Sequence, residues 1–136
     1  MDRQTAIETL LDLYENPMHR GPLPGADVST LGGNPGCGDV VTVHLKVEDE
    51  RASRIMFEGE GCTISQAAAE FVADRMQGAS LAEIEQLQQD IIIEELGREV
   101  VMSRPRCATL GLGTLKQAVK EYLDKHRAEL TRSTNS

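Results

Sequence analysis

Tryptophan is absent from this 136-residue sequence, and phenylalanine and tyrosine occur only twice each. A chain with 3% aromatic residues offers a weak platform for stacking bases. Its core has to be built from Leu, Ile, Val, Ala and Met. Positive charge is also scarce: 14 lysines and arginines stand against 22 acidic residues, a formal net charge of −8. That balance argues against a nucleic-acid ligand, whose affinity draws on clustered cations, and suits cations or a basic patch on a partner. No run approaches the ~20 apolar residues that a membrane-spanning helix requires. Residues 1–15 have neither the basic start nor the small-residue cleavage site of a secretory signal, so the expected location is a reducing cytoplasm. Cysteine is rare too. The three, Cys37, Cys62 and Cys107, are an odd number, unlike a secreted disulfide framework. In a reducing compartment a few cysteines more often bind metal or react than cross-link.

The length suits one domain, expected over residues 1–126, with a polar tail at 127–136 expected to fray. Residues 2–14 read as an amphipathic helix with Ile7, Leu10, Leu11 and Tyr14 on one face and Asp2 as its cap. Asn16-Pro17 ends it. Residues 16–36, rich in Gly and Pro, form a long loop of the kind that often carries function. Val41, Val43, Leu45 and Val47 alternate with polar residues and predict a strand. A polar turn at 48–51 leads to a second strand ending at Gly59, and the pair predicts an antiparallel hairpin. A helix follows Cys62, with Ile64, Ala67, Ala68, Phe71 and Val72 inward. Ser80-Leu81-Ala82-Glu83 has the form of a capping box. Ile91 to Ile93 fit strand or helix equally. Pro105 suits the first turn of a last helix that runs to about Lys125, with Leu112, Leu115, Val119, Tyr122 and Leu123 on one face. Gly111 and Gly113 weaken its first turns by ~1 kcal/mol each relative to Ala.

Each cysteine stands beside glycine or at a helix start. Cys37 lies in Asn34-Pro35-Gly36-Cys37-Gly38-Asp39, Cys62 follows Gly61, and Cys107 follows Arg104-Pro105-Arg106. Glycine lets backbone approach an ion closely. A helix N-terminus favours negative charge, and the two arginines add positive charge beside Cys107, favouring its thiolate. Asp39, two residues after Cys37, shares its face if the chain is extended there. Three thiolates and one carboxylate make four ligands, enough for a tetrahedral zinc site or for an iron–sulfur cluster. His19, His44 and His126 are expected as solvated surface residues. The Gly-rich stretch 32–38 lacks the Gly-Lys-Ser/Thr ending of a P-loop, and no Ser–His–Asp arrangement is legible.

Four pieces, in order, resemble the U-type iron–sulfur cluster assembly family, which includes IscU, SufU and the N-terminal part of NifU. They are Leu13-Tyr14-Glu15-Asn16-Pro17 with Gly21, Asn34-Pro35-Gly36-Cys37-Gly38-Asp39, the stretch Phe57-Glu58-Gly59-Glu60-Gly61-Cys62-Thr63-Ile64-Ser65, and residues 104–110 around the third cysteine. The resemblance implies an α+β fold: a small antiparallel sheet of about three strands, the third near residues 24–31, with helices mostly on one face. It implies that Cys37, Asp39, Cys62 and Cys107 converge at one exposed end. IscU-like members carry a histidine where Arg106 stands, which resembles the SufU branch; the segment from Cys62 to Cys107 is shorter than SufU-like members have. The sequence thus stands between the two branches. Three functions follow. One is a zinc-containing acceptor that takes sulfur from a cysteine desulfurase on Cys107. The second is a scaffold that builds a [2Fe–2S] cluster on the same residues and passes it to recipient apo-proteins. The third is a structural zinc module. The first two are sulfur-transfer or scaffold roles rather than conventional enzyme turnover, in a monomer or weak oligomer that contacts neither nucleic acid nor membrane.

Overall fold

The computed structural model describes residues 2–34 and 38–135. The chain runs α1 (Arg3–Glu15), β1 (Val28–Asn34), β2 (Asp39–Glu48), β3 (Arg51–Glu60), α2 (Thr63–Met76), α3 (Leu81–Gln86), α4 (Gln89–Leu96), α5 (Arg98–Val101) and α6 (Pro105–Asn135). This is the expected α+β arrangement, a three-stranded antiparallel sheet of order β1-β2-β3 with helices on its inner face.

The strands follow from alternation. Val28 and Thr30 of β1, Asp39, Val41, Val43 and Leu45 of β2, and Ala52, Ile55 and Phe57 of β3 are buried, while their neighbours face outward. The third strand lies at 28–34, further along than the 24–31 expected by resemblance and inside the segment 16–36 expected as loop: it is an edge strand, and the prolines of that segment all fall outside it. Asp49 and Glu50 make the hairpin turn with φ of 52° and 61°, the left-handed pair that a two-residue connection needs to match strand twist. Neither is glycine, and the Leu81 N–H donated to the Glu50 carbonyl at 3.0 Å holds the turn in place.

Alanine at 67, 68, 69 and 73 lets α2 pass through the middle of the protein, against α1, α6 and β3. Asp2 caps α1 as expected, its Oδ1 accepting the Thr5 N–H at 2.7 Å. The buried face of α1 differs from the expected one. Ala6 and Leu10 point inward with Leu13 beside them, whereas Leu11 is 44% and Tyr14 38% exposed. α1 packs on α2 and α5 rather than on the sheet, and the small Ala6 fits that close contact. Periodicity ranks side chains by hydrophobicity and passes over alanine.

Ser80 Oγ accepts the Glu83 N–H at 3.1 Å, the bond the capping signature predicts. The ambiguous run at 91–93 is helical. Ile92, Ile93 and Leu96 of α4 are buried, α4 packs on α6, and Gly97 with φ 104° separates α4 from α5. α6 begins at Pro105 and buries Leu112, Leu115 and Val119. Its backbone stays helical to Asn135 instead of ending near Lys125, because residues 114–135 contain neither Gly nor Pro. Gly111 has a second purpose beyond its low helix propensity. A Cβ there would lie 2.8 Å from Ala69 Cα, so glycine sets how closely α6 approaches α2. Among the described residues no helix is long and apolar enough to cross a membrane.

Candidate metal centre

Asp39 is the first residue of β2 and points inward. Its neighbour Val40 pairs with Glu60 at the end of β3, which brings the carboxylate beneath the β3–α2 junction. Cys62 stands at that junction as the N-cap of α2, in extended conformation (φ −74°, ψ 164°). Gly61 between them has φ 149°, and a Cβ there would overlap Asp39 Oδ1 and lie 2.7 Å from its Cγ. Only glycine leaves room for the carboxylate under this turn.

The carboxylate is 1% exposed. Groups of Cys62 and the start of α2 offset its burial. The Cys62 N–H donates to Oδ1 at 2.7 Å, and the Cys62 thiol lies 3.6 Å from Oδ2. The N-terminus of α2 adds the favourable end of the helix dipole. Cys107, in the first turn of α6, is 2% exposed. One ligand atom from each of Asp39, Cys62 and Cys107 lies within 4.8 Å of the other two. Tetrahedral ligands with Zn–S bonds of about 2.3 Å sit about 3.7 Å apart, so small side-chain adjustments let the three share one ion. Two sulfurs and a carboxylate oxygen fit zinc or iron by donor type. Cys37, the fourth candidate, lies outside the described residues.

Arg104 and Arg106 are exposed. Arg106 lines a groove of about 430 Å³ between β1 and α6, together with Thr30, Gln89, Thr109 and Gln117. A guanidinium has no lone pair to offer a metal, so this arginine bears on the site as a charge and not as a ligand. Gln66, one turn after Cys62 on α2, is buried with its Oε1 lacking a hydrogen-bond partner.

The histidines depart from expectation in two cases, His19 fully and His44 in part, its side chain being only 15% exposed. His19 is 8% exposed rather than solvated, and its Nδ1 lies 2.8 Å from Oε2 of the buried Glu70. The reason lies in the loop: His19 O accepts the Phe57 N–H at 2.8 Å, and Gly21 donates to Phe57 O at 2.8 Å, which draws residues 19–21 onto the edge of β3. His44 lies on the outer sheet face between Ser29 Oγ at 2.7 Å and Glu58 Oε1 at 2.9 Å. His126 is exposed and stacks on Tyr122. A Gly-Pro-rich loop gives no sequence signal that one of its side chains is buried, and Glu70 falls on a helix position that polarity would send outward.

The model of the NifU-like N-terminal domain matches residues 6–129. The iron–sulfur cluster assembly scaffold protein IscU of Thermotoga maritima is 35% identical over 130 residues, covering 84% of this chain and 92% of that protein. IscU of Escherichia coli K12 is 32% identical over 126 residues, covering 90% and 97%. Among solved structures, a putative SUF-system scaffold from Fervidobacterium islandicum superimposes with a TM-score of 0.70 at 21% identity, over 87% of this chain and 99% of that one. That likeness bears on the fold, and the sequence matches bear on descent. With a family model spanning nearly the whole length and relatives above 30% identity, this chain belongs to the NifU-like N-terminal domain family.

Proposed function

We propose that this chain is an iron–sulfur cluster assembly scaffold of the IscU/SufU type, working at Cys37, Asp39, Cys62 and Cys107. The observation that carries the reading is the meeting of Asp39, Cys62 and Cys107 within 4.8 Å, from three separate elements. A fold that needed only stability would fill this end with apolar side chains. The relatives in T. maritima and E. coli, both scaffold proteins by name, support it. In this reading a cysteine desulfurase supplies sulfur, apo-proteins receive the finished cluster, and the work takes place in the cytoplasm.

The finer proposal is that zinc holds the thiolates in the resting state and that Cys107 accepts the sulfur. Zinc would keep the sulfurs deprotonated and unreacted. The Cys107 thiolate attacks the outer sulfur of a desulfurase persulfide. A Cys107 S–S bond forms, the desulfurase S–S bond breaks, and the desulfurase cysteine leaves as thiolate, with no net oxidation. Because Cys107 is 2% exposed while Cys62 is partly accessible, docking of the desulfurase has to release Cys107 first. Cys107→Ser should abolish sulfur uptake in a persulfide-trapping assay, and Cys62→Ser should retain it. The reverse result moves the acceptor to Cys62.

The metal content and absorption spectrum of protein purified without oxygen separate the two resting states. One zinc and no visible absorption supports the acceptor form. Iron and labile sulfide with charge-transfer bands supports a scaffold that rests with its [2Fe–2S] product bound.

A further inference from the structure

Glu70 and Asp74 lie one turn apart on one side of α2 and meet His19 from the loop after α1. One ligand atom from each of the three lies within 4.8 Å of the other two. Glu70 is eight residues beyond Cys62, about 12 Å further along the helix, so this cluster is separate from the cysteine site.

Hydrogen bonds hold His19 and Glu70 in place. Glu70 is 3% exposed, and its Oε1 accepts the backbone N–H groups of Met18 at 3.0 Å and His19 at 2.8 Å. Its Oε2 faces His19 Nδ1 at 2.8 Å. An ionised carboxylate only accepts, so Nδ1 carries the proton, and in the neutral ring Nε2 keeps its lone pair. A carboxylate behind an imidazole is the arrangement that orients metal-binding histidines. The cluster is also under-neutralised. Two carboxylates face one imidazole, and among the described residues no lysine or arginine pairs with either. Fastening the loop to α2 requires only His19 and Glu70. Asp74 adds a second negative charge that fastening does not use, and its exposure leaves an entrance from solvent.

We propose that His19 and Asp74 form a second cation site, one that takes a divalent first-row metal ion through the imidazole Nε2 and the Asp74 carboxylate, with Glu70 orienting the ring from behind and water completing the shell. Nitrogen and oxygen donors suit ions of intermediate hardness, such as Mn²⁺ or Fe²⁺, whereas the thiolate site favours softer ones. The two sites therefore differ in preference as well as position.

The test is titration of Mn²⁺ alone, followed by electron paramagnetic resonance. It is run on the full chain loaded with zinc and on the chain carrying both Cys62→Ser and Cys107→Ser. One saturable Mn²⁺ per chain is expected in each, because neither change touches the second cluster. Asp74→Asn, an exposed substitution that leaves the loop fastening intact, should weaken binding roughly tenfold or more. His19→Gln, checked for folding by circular dichroism, should do the same. Absence of saturable Mn²⁺ binding, or affinity unchanged in folded Asp74→Asn, overturns the proposal.

Discussion

Asp39 and Glu70 are carboxylates buried to nearly the same degree, at opposite ends of the same problem. Each is accommodated by backbone N–H groups: Glu70 accepts from Met18 and His19, Asp39 from Cys62. Their surroundings differ. Glu70 has an imidazole beside it and sits in the middle of α2, where it ties down the loop after α1. Asp39 has thiols beside it, at the N-terminus of the same helix, where three elements end. The first carboxylate is built into the fold. The second stands at its edge, next to groups that suit a soft metal ion, and an oxygen among sulfurs is the ligand most readily exchanged.

The contrast is sharpest in stability. Glu70→Ala leaves the Met18 and His19 N–H groups and the His19 ring without their partner. It should cost about 3 kcal/mol or more, read from the urea midpoint. Gly61→Ala tests the other end. It places a Cβ at φ 149° against the Asp39 carboxylate and should cost about 1–3 kcal/mol, with weaker zinc retention against a chelator. A Gly61→Ala protein that holds zinc normally would show that Asp39 needs no such room. Asp39→Ala should cost less than Glu70→Ala in the metal-free protein, about 1–2 kcal/mol, and should lengthen the lifetime of an assembled cluster by removing the exchangeable oxygen. Equal losses in the two alanine variants would show that both carboxylates are built into the fold alike.

Asp2 supplies the smallest effect, from a carboxylate that also accepts a backbone N–H but does so in full solvent. The Thr5 backbone N–H, foremost, holds its carboxyl below the usual 3.8. A folded value below the unfolded one means that the cap stabilises fully above the ordinary aspartate range and is lost as pH falls through the folded value. Amide exchange at Thr5, corrected for its intrinsic pH dependence, should therefore rise in acid. Asp2→Asn, which still accepts the bond, should remove that pH dependence.

Much of the architecture was legible because it rests on local rules. The β2–β3 hairpin followed from alternation between residues 41 and 57, the start of α3 from Ser80 and Glu83, and the start of α6 from Pro105. Where local rules were silent, reading failed for identifiable reasons. The run at 91–93 had no period of its own, and packing of α4 against α6 made it helix. Leu11 and Tyr14 satisfied the helical period but lost the inward face to Ala6. At the cysteine site, neighbouring glycines and helix starts singled out Cys62 and Cys107, and the two-residue spacing from Cys37 singled out Asp39. That they meet was implied by the family resemblance alone, which placed them at an exposed end; the structure instead buries Asp39 and Cys107, and only the tertiary structure shows that Gly61 makes room for Asp39. His19 and Glu70 were passed over because neither residue type signals burial.

By itself, the order of residues determined the β2–β3 hairpin, the starts of α1, α2, α3 and α6, the acidic composition and the identity of the candidate site residues. Those depend on backbone sterics, capping and periodicity within a few residues. Tertiary structure alone decided which polar groups are buried and which of them share a site. That depends on contacts between residues far apart in the chain: Asp39 with Cys62 and Cys107, and His19 with Glu70. Such contacts exist only once α2 has packed between α1, α6 and the sheet.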